Sequence, residues 1–401
     1  MVLALTSIPS TADVVIIGGG MAGLSCAAEL ARKGIHDVIL LEKDKLAHLG
    51  GSSAGESRMF REMYSDTELC LLAKKSNALW NCLEKENHME LLLRHGLLFY
   101  GESWGEETIE GSITGAESVM IDQNIPFEKL FSKQINDRFP IKAKPHHIGL
   151  FEPTAGTVRS DRAIELWKHL ALTAGHQLIE DCRVTEISPK SGVVCLSDNS
   201  TITAQQIILC TGMWSNELLS AHGFVPKLEI WPILYAHYSV DPNLVNSYPQ
   251  WFCFQESSGD DGGLYFGFPV IEVIENQVPV IKVGLDWAPK DSRPVNPNDF
   301  PSDPHPSLIK FLDSFVYSNL EGINKREKLS LSPYSMTEDV NFVLDRLDEK
   351  LSIFCGGSGQ AFKFAPLIGL LLSDLAMGCQ PSVSVDCWRF DREAIVGRKG
   401  E

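Results

Sequence analysis

The sequence predicts an α/β fold class, with one domain on a parallel sheet and a second domain on a mainly antiparallel sheet. Three observations support this prediction. The stretch DVVIIGGGMAGLSCAAELARKGIHDVILLEKD has the pattern of strand, glycine turn, helix and strand. The later segments IILCTG and LSIFCGGSG also join a buried-type strand to a glycine turn. Between them, GGLYFGFPVIEVIENQVPVIKVGLDW mixes aromatic and polar residues with Gly, Pro and Asn breaks, which is typical of antiparallel strands.

The first glycine turn has the spacing of a dinucleotide-binding motif. Residues 14–17 form a short β-branched strand, and Gly18, Gly20 and Gly23 fit the pattern G-x-G-x-x-G. The first glycine permits a tight turn, the second lets a pyrophosphate approach the backbone, and the third lets helix and strand pack closely. Glu42 ends the second strand 19 positions after Gly23, where a carboxylate accepts hydrogen bonds from ribose hydroxyls. This combination predicts a dinucleotide site rather than a glycine turn without a ligand.

The helix and strand patterns continue along the chain in two textures. The segment SDRAIELWKHLALTAG predicts a helix with Ser160 or Asp161 as its N-cap, and short strands follow it. Residues 1–90, 150–225 and 326–401 are therefore predicted to form a discontinuous nucleotide-binding domain. Residues 91–149 and 226–325 are predicted to form the second, substrate domain.

Composition excludes several classes of function. With a net charge of −17 and no cluster of Lys and Arg, the chain is not expected to bind nucleic acid. Ten cysteines without C-x-x-C pairs predict neither a zinc site nor a disulfide framework, and indicate a reducing compartment. We expect a cytoplasmic, monomeric protein without a membrane partner, because no stretch approaches ~20 apolar residues and neither terminus carries a targeting sequence.

Further motifs cover nearly the whole chain: GSSAGESRMFR, FEPTAGTVRSDRA, CTGMWSNELL, YFGFP, IKVGLDW and GGSGQAFKFAPLIG. Together with the first glycine turn, they resemble the monomeric sarcosine oxidase family. That family includes N-methyltryptophan oxidase and L-pipecolate oxidase, within the D-amino-acid-oxidase superfamily. The resemblance implies a Rossmann-like FAD-binding domain with an α+β substrate domain, and FAD rather than NAD. It also implies oxidation of a substrate C–N bond to an imine, with O2 reduced to H2O2.

The resemblance also implies which residues bind the cofactor. Ser332 stands where the family has the cysteine that bonds covalently to the flavin, so the FAD is expected to be non-covalent, because a serine hydroxyl is a poorer nucleophile than a thiolate. The implied FAD-binding residues are Gly18, Gly20, Met21, Ala22, Gly23, Glu42, Lys43, Gly51, Ser52, Ser53, Arg58, Val184, Gly212, Trp214, Gly357, Gly359, Gln360, Phe362 and Lys363.

Four cations carry the chemistry that the resemblance implies. Arg58 matches an arginine beside the flavin ring, where a fixed cation stabilises the charge of the reduced ring. Arg61 and Lys363 match the two residues that hold the substrate carboxylate, and a guanidinium binds both carboxylate oxygens. If residues 58–61 form a helical turn, both arginines lean to one side. Lys282 matches the lysine that activates O2, and its presence favours an oxidase; the alternative is a lysine on a solvated strand edge.

Four polar positions depart from the family. Ala54 and Gln360 replace histidines, Phe266 replaces a tyrosine, and Asp286 replaces a histidine after the lysine strand. We infer that the substrate is an amino acid or N-substituted amino acid other than sarcosine. Asp286 could meet a second cationic group of the substrate, or it could pair with Lys282 or Lys363.

Two other functions stay open at this point. The first is a flavin dehydrogenase or a specialised biosynthetic enzyme that desaturates an amine on the same fold. The second is a non-catalytic FAD-binding protein, which the retained cations disfavour. No metal site is predicted, since the histidines of KPHH at 144–147 have no partners at metal spacing.

Overall fold

The structure is a computed structural model that describes residues 8–48, 50–102, 108–256, 262–274 and 278–396. The two terminal stretches considered for targeting, 1–7 and 397–401, lie outside the described residues. The chain divides into two compact units. The first unit comprises Met1–Ala54, Asp161–Leu228 and Ser335–Glu401, and the second unit comprises Gly55–Ser160 and Glu229–Tyr334.

The described residues form strands and helices that alternate along the chain. The strands are β1 Thr11–Ile17, β2 Val38–Leu41, β3 Ser57–Phe60, β4 Leu92–Leu93, β5 Leu97–Gly101, β6 Glu128–Phe131, β7 Ile148–Glu152, β8 Gly156–Arg159, β9 Gln177–Ile179, β10 Val184–Ser188, β11 Val193–Leu196, β12 Thr201–Leu209, β13 Glu229–Val240, β14 Gln250–Phe254, β15 Leu264–Ile274, β16 Val278–Leu285, β17 Ile323–Met336, β18 Val343–Asp348 and β19 Leu351–Cys355. The α-helices are α1 Met21–Arg32, α2 Thr67–Asn87, α3 Ile113–Asp122, α4 Ser132–Arg138, α5 Ser160–Thr173, α6 Ser215–Leu219, α7 Pro306–Asn319, α8 Ala365–Ala376 and α9 Glu393–Val396.

The first unit is built on the predicted parallel sheet. Its strand order is β10-β11-β12-β1-β2-β9, and β19 with β18 extends from β12. Strand β1 pairs in parallel with both β2 and β12, and its residues 14–17 are buried. A strand that is covered on both faces is continuously apolar, and for this reason the β-branched run in the sequence predicted β1 correctly. The sequence places Gly34 just after the apolar pattern of the first helix, which predicts that the helix stops there. Helix α1 ends at Arg32, and Gly34 follows it with a φ of 76°, so this prediction is confirmed.

The second unit is built on the predicted, mainly antiparallel sheet. Its strand order is β17-β13-β16-β15-β14-β5-β7-β6, in which β14 and β5 pair in parallel. A small sheet of order β3-β8-β4 also belongs to this unit. Helix α7 packs against the large sheet, where the Phe315 ring stacks on the Tyr265 ring at a centroid distance of 3.8 Å. The long strands β13, β15 and β16 coincide with the aromatic-rich stretch of the sequence.

The borders of the two units differ from the predicted domain borders. Residues 55–90 and 150–160 were expected in the nucleotide-binding domain, together with 326–334, but all three ranges lie in the second unit. The physical reason is that β3 pairs with β8, and β8 with β4, instead of joining the parallel sheet. The same pairing makes residues 57–60 a strand, so the helical turn that would place Arg58 and Arg61 on one side does not form.

All ten cysteines are free thiols, as expected from their spacing. Among the described residues, the helices are all too short or too polar to cross a membrane.

Candidate functional site

The glycine turn of the first unit is held by close backbone packing. Gly18 has a φ of 106°, and a Cβ on it would lie 2.4 Å from the carbonyl oxygen of Cys210. A Cβ on Gly23 would lie 2.0 Å from the carbonyl oxygen of Gly18. Any residue with a Cβ at position 23 would therefore push α1 away from the end of β1. This is the role that the motif assigns to its third glycine.

Glu42 directly follows β2 beside this turn and is 5% exposed. Its Oε2 accepts a hydrogen bond from the Gly19 N–H at 2.7 Å, and its Oε1 accepts one from the Asp44 N–H at 3.0 Å. A carboxylate has about four acceptor positions, so it keeps acceptor capacity for a ligand after these two bonds. Glu42 is thus fixed in place and still able to accept hydrogen bonds from a ribose.

Two more groups of predicted cofactor residues lie around the start of α1 and the end of β12. The N–H of Met21 donates to Ser53 Oγ at 3.0 Å, so the segment with Gly51, Ser52 and Ser53 reaches the helix N-terminus. The ammonium of Lys43 lies 3.3 Å from the ring centroid of Trp214, in the turn that begins at Gly212. Ala22 and Val184 are both buried, the first in α1 and the second at the start of β10.

These features fit FAD on grounds visible in the structure. The helix N-terminus carries a positive partial charge that favours a pyrophosphate. The N-cap of α1 is Gly20, which has no side chain, and a Cβ there would lie 3.0 Å from Ser53 Oγ. The helix N-terminus suits the pyrophosphate of a dinucleotide, and the fixed carboxylate of Glu42 suits its ribose.

A second glycine turn in the first unit precedes α8 and carries the remaining predicted residues. It has left-handed backbone at Gly356, Ser358 and Gly359, with φ values of 64°, 44° and 70°. The predicted cofactor residues of this turn and the short helix after it are Gly357, Gly359, Gln360, Phe362 and Lys363, and the last three are each at most 6% exposed. Within the described part of the chain, Gln360 Oε1 is buried and accepts no hydrogen bond.

In the second unit, Arg61 follows β3 directly and is 0% exposed. Its Nη2 donates to Glu110 Oε2, and its guanidinium carbon lies 4.5 Å from the ring centroid of Tyr64 and 5.1 Å from that of Phe99. Burial alone would lower the pKa of Arg61, but the effects of Glu110, Tyr64 and Asp286 together raise it above its usual value. Among the described residues, Nε and Nη1 of Arg61 have no hydrogen-bond partner. Two buried donors are therefore available to an oxygen-bearing ligand.

A second buried acid, Glu152, holds the backbone next to Arg61. Its carboxylate accepts from the N–H of Glu62 at 3.0 Å, from the N–H of Met63 at 3.0 Å and from the Thr154 hydroxyl at 3.2 Å. Burial raises the pKa of Glu152 to about 7, although the backbone hydrogen bonds of Glu62 and Met63 oppose this. Glu152 is thus a positioning residue for the Arg61 segment, and the sequence contained no local pattern that marked it.

Glu152→Gln is expected to remove a pH dependence of stability. The folded pKa of about 7 lies above the usual 4.5, so ionisation disfavours the folded state, and the free energy of unfolding falls as pH rises from about 4.5 to about 7. A shift of this size corresponds to about 3 kcal/mol. Urea unfolding at pH 5 and pH 8 measures it: the wild type should lose this amount relative to the variant. Parallel pH profiles for both proteins would contradict the assignment.

Lys282 lies on β16, between β13 and β15, and is 8% exposed. It is therefore on an interior strand and not on a solvated edge. Its ammonium donates to the carbonyl oxygen of Ser57 at 3.1 Å and to the Ser57 hydroxyl. The same ammonium lies 4.2 Å from the ring centroid of Phe268 and 5.7 Å from that of Tyr235. Two aromatic faces and two oxygens thus hold a buried positive charge.

The other predicted residues of this unit lie on or next to β3, β15, β16 and β17. Arg58, on β3 next to Ser57, is half-buried, and its Nη1 donates to the Ser57 carbonyl at 2.8 Å. Phe266 on β15 faces Gly284 on β16, where a Cβ would touch its ring. Asp286 follows β16, is 4% exposed, and raises the pKa of Arg61 with a smaller effect than Glu110. Ser332 lies on β17.

The KPHH histidines have a partner that the sequence did not reveal. Glu102 follows β5, one residue beyond the paired Gly101 and Ile148, and it accepts from His146 Nε2 at 3.0 Å. His147 Nε2 lies 3.5 Å from Glu102 Oε1. His147 Nδ1 accepts the Lys144 N–H at 3.3 Å, and burial lowers the pKa of His147 to about 4, so its ring is neutral with the proton on Nε2. The side-chain nitrogen and oxygen atoms of Glu102, His146 and His147 lie within 4.8 Å of one another, so the expectation that these histidines have no partner at metal spacing was wrong.

Comparisons with known proteins agree with this geometry. A family model described as FAD dependent oxidoreductase matches residues 13–375. A monomeric sarcosine oxidase of Bacillus sp. (strain NS-129) is 26% identical over 394 residues, covering 96% of this chain and 97% of the relative. An N-methyl-L-tryptophan oxidase of Citrobacter koseri is 27% identical over 395 residues, covering 95% of this chain and 98% of the relative.

Solved structures of amino-acid-oxidising enzymes are also similar to this chain. NikD, described as an unusual amino acid oxidase essential for nikkomycin biosynthesis, superposes with a TM-score of 0.86 at 26% identity, covering 95% of this chain and 98% of its own. An L-proline dehydrogenase from P. horikoshii has a TM-score of 0.76 at 19% identity, covering 95% of this chain and 97% of its own. The second likeness concerns the fold alone.

Proposed function

The chain belongs to the FAD dependent oxidoreductase family, and we propose that it oxidises the C–N bond of an amino acid or N-substituted amino acid to an imine, with O2 as the electron acceptor. The observation that carries the substrate class is Arg61, a buried guanidinium whose Nε and Nη1 have no partner among the described residues. A carboxylate satisfies such donors with charge-assisted hydrogen bonds. The amino acid substrates named for the relatives support the same class.

The chain's own residues orient the substrate and supply charge. When bound, FAD supplies the two-electron redox chemistry of the family, from the substrate carbon to O2. Arg61 holds the substrate carboxylate, and Glu152 keeps the backbone after Arg61 in place through two N–H groups. Lys282 is a fixed, buried cation that stabilises the negative charge on O2 as it is reduced. Its burial supports an oxidase.

The attachment of the cofactor is part of the proposal. Ser332 replaces the expected linking cysteine, so we propose non-covalent FAD. Acid precipitation should therefore release all of the flavin into the supernatant. Flavin that stays with the protein pellet would overturn this point.

The reaction class is tested by mixing the FAD-loaded protein anaerobically with amino acids, N-methyl amino acids and cyclic imino acids. Bleaching of the flavin band by a carboxylated amine, reversed by air with formation of H2O2, is the expected result. The matched esters and amides should not bleach the band, since they lack the carboxylate that Arg61 binds. Bleaching by esters and acids alike would overturn the role of Arg61.

A second candidate is a biosynthetic flavoenzyme that desaturates a cyclic or tailored amine. The changes at Ala54, Phe266, Gln360 and Asp286, together with the similarity to NikD, favour it. Product analysis separates the two functions, because a desaturase yields a ring with an added C=C bond that persists in water, whereas an oxidase yields a C=N bond that water hydrolyses to a carbonyl group and an amine.

Arg61→Lys is expected to raise KM for the substrate roughly 10- to 100-fold, with a smaller effect on kcat. Lysine keeps a charge that pairs with Glu110, but it loses the planar fork that binds two oxygens. Steady-state kinetics with the best substrate of the panel measures the change. Arg138→Lys, at an exposed pair with Glu128, is the matched control and should behave as wild type. An unchanged KM in Arg61→Lys would contradict the carboxylate site.

A further inference from the structure

The buried guanidinium of Arg61 already forms an ion pair with a carboxylate of its own chain. Glu110 lies 49 residues further on and accepts from Nη2, and the side chains of Arg61 and Glu110 are 1% and 6% exposed. Nη2 belongs to both two-point edges of a guanidinium, so Glu110 occupies part of each edge. A substrate carboxylate that binds Nε or Nη1 therefore comes to lie next to the carboxylate of Glu110.

Glu110 is held in place by its own turn. Its N–H donates to the Thr108 hydroxyl oxygen at 3.1 Å, and the Gly111 N–H donates to the Thr108 carbonyl oxygen at 2.9 Å. The N–H of Ser112 donates to Ser65 Oγ at 2.9 Å, which ties the turn to the segment that follows Arg61. This hydrogen bond joins the Glu110 turn to the loop that follows Arg61. We therefore expect Glu110 to stay beside Arg61 when a ligand binds.

The Arg61–Glu110 ion pair itself has no net charge, and both of its side chains are buried. An anion that binds beside a buried, neutral ion pair loses its hydration without a matching gain. A zwitterion adds no net charge, and its ammonium gains a contact with the carboxylate of Glu110.

We propose that Glu110 determines specificity by making the Arg61 site select zwitterionic amino acids over simple carboxylates. The ligand carboxylate binds Nε or Nη1 of Arg61, next to the Nη2 that holds Glu110, and the ligand ammonium binds the carboxylate of Glu110. The two groups of an α-amino acid are attached to one carbon, which matches two opposite charges held side by side on the chain. The inference rests on the proposed function and concerns binding, before the amine loses its proton.

The test compares two ligands of the same shape on the FAD-loaded protein by isothermal titration calorimetry. These are α-aminoisobutyrate, a zwitterion, and pivalate, which has a methyl group in place of the ammonium. Neither has a hydrogen on its α-carbon, so neither is oxidised there. The wild type should bind α-aminoisobutyrate at least about tenfold more tightly than pivalate, which corresponds to ~1.4 kcal/mol.

Glu110→Gln should reverse this preference. The amide still reaches Arg61 but carries no charge, so pivalate should bind more tightly than to wild type and α-aminoisobutyrate less tightly. Glu117→Gln, which breaks the exposed pair with Lys129 in the same unit, is the matched control and should leave both affinities unchanged. If Glu110→Gln fails to fold, Glu110→Asp keeps the charge and retracts it by one methylene group, which should weaken only the zwitterion.

The outcomes separate the two proposals. Equal binding of the two ligands by the wild type, or a preference that persists in the Glu110 variants, would overturn the role of Glu110. If Arg61→Lys still weakens both ligands in that case, the carboxylate site of the proposed function stands. If neither ligand binds the wild type, or if Arg61→Lys leaves both affinities unchanged, the carboxylate site itself is overturned.

Discussion

Replacing Lys282 with Met is expected to slow the reaction of the reduced enzyme with O2 by about 100- to 1,000-fold, the range for one preorganised electrostatic group. Reduction by the substrate should change much less. The ammonium is buried and held by two oxygens of Ser57, so its charge acts through a medium of low dielectric constant. Methionine has nearly the same length and no charge, so it tests the charge alone.

Stopped-flow absorbance of the flavin measures the two half-reactions separately. Lys325→Met, at an exposed lysine paired with Glu327, is the matched control and should react with O2 at the wild-type rate. Equal slowing of both half-reactions in Lys282→Met would refute the assigned role, because a general disturbance of the site affects both. A second variant, Ser57→Ala, removes one of the two oxygens and should have an effect in the same direction but smaller.

Gly23→Ala is expected to weaken FAD binding roughly 100-fold, or about 3 kcal/mol. The added Cβ would lie 2.0 Å from the carbonyl oxygen of Gly18, and neither backbone segment can yield without moving α1 away from β1. That movement displaces the helix N-terminus, where the pyrophosphate is expected to bind. Flavin fluorescence released on dilution of the protein measures the affinity.

Gly34→Ala is the control for this change. Gly34 also lies in the first unit, with a φ of 76° and no atom within 4 Å of a Cβ. It should therefore lose only the ~1–2 kcal/mol of stability that left-handed backbone costs a residue with a Cβ, and it should bind FAD as wild type does. Wild-type affinity in Gly23→Ala would show that the close approach of α1 and β1 is not needed for the cofactor.

Other contacts of the second unit show why the sequence alone did not predict the partners of the site residues. Arg61 and Lys282 were selected by resemblance, but their partners Glu110 and Ser57 lie 49 and 225 residues away from them along the chain. Glu152 lies 90 residues from the N–H of Glu62 that it binds. No local pattern marks such partners, because only the packing of the second unit brings them together. The pairing of β3 with β8 likewise decided that residues 57–60 form a strand and belong to the second unit.

The sequence by itself determined the fold class, the first glycine turn with Glu42, the end of α1 at Gly34, and the family. These features are local, since each depends on backbone geometry and apolar periodicity within about thirty residues. Only the tertiary structure decided that Lys282 is buried, that Glu152 holds the Arg61 segment and that Glu110 pairs with Arg61. These depend on burial and on contacts between distant strands, where desolvation fixes which charges must be paired.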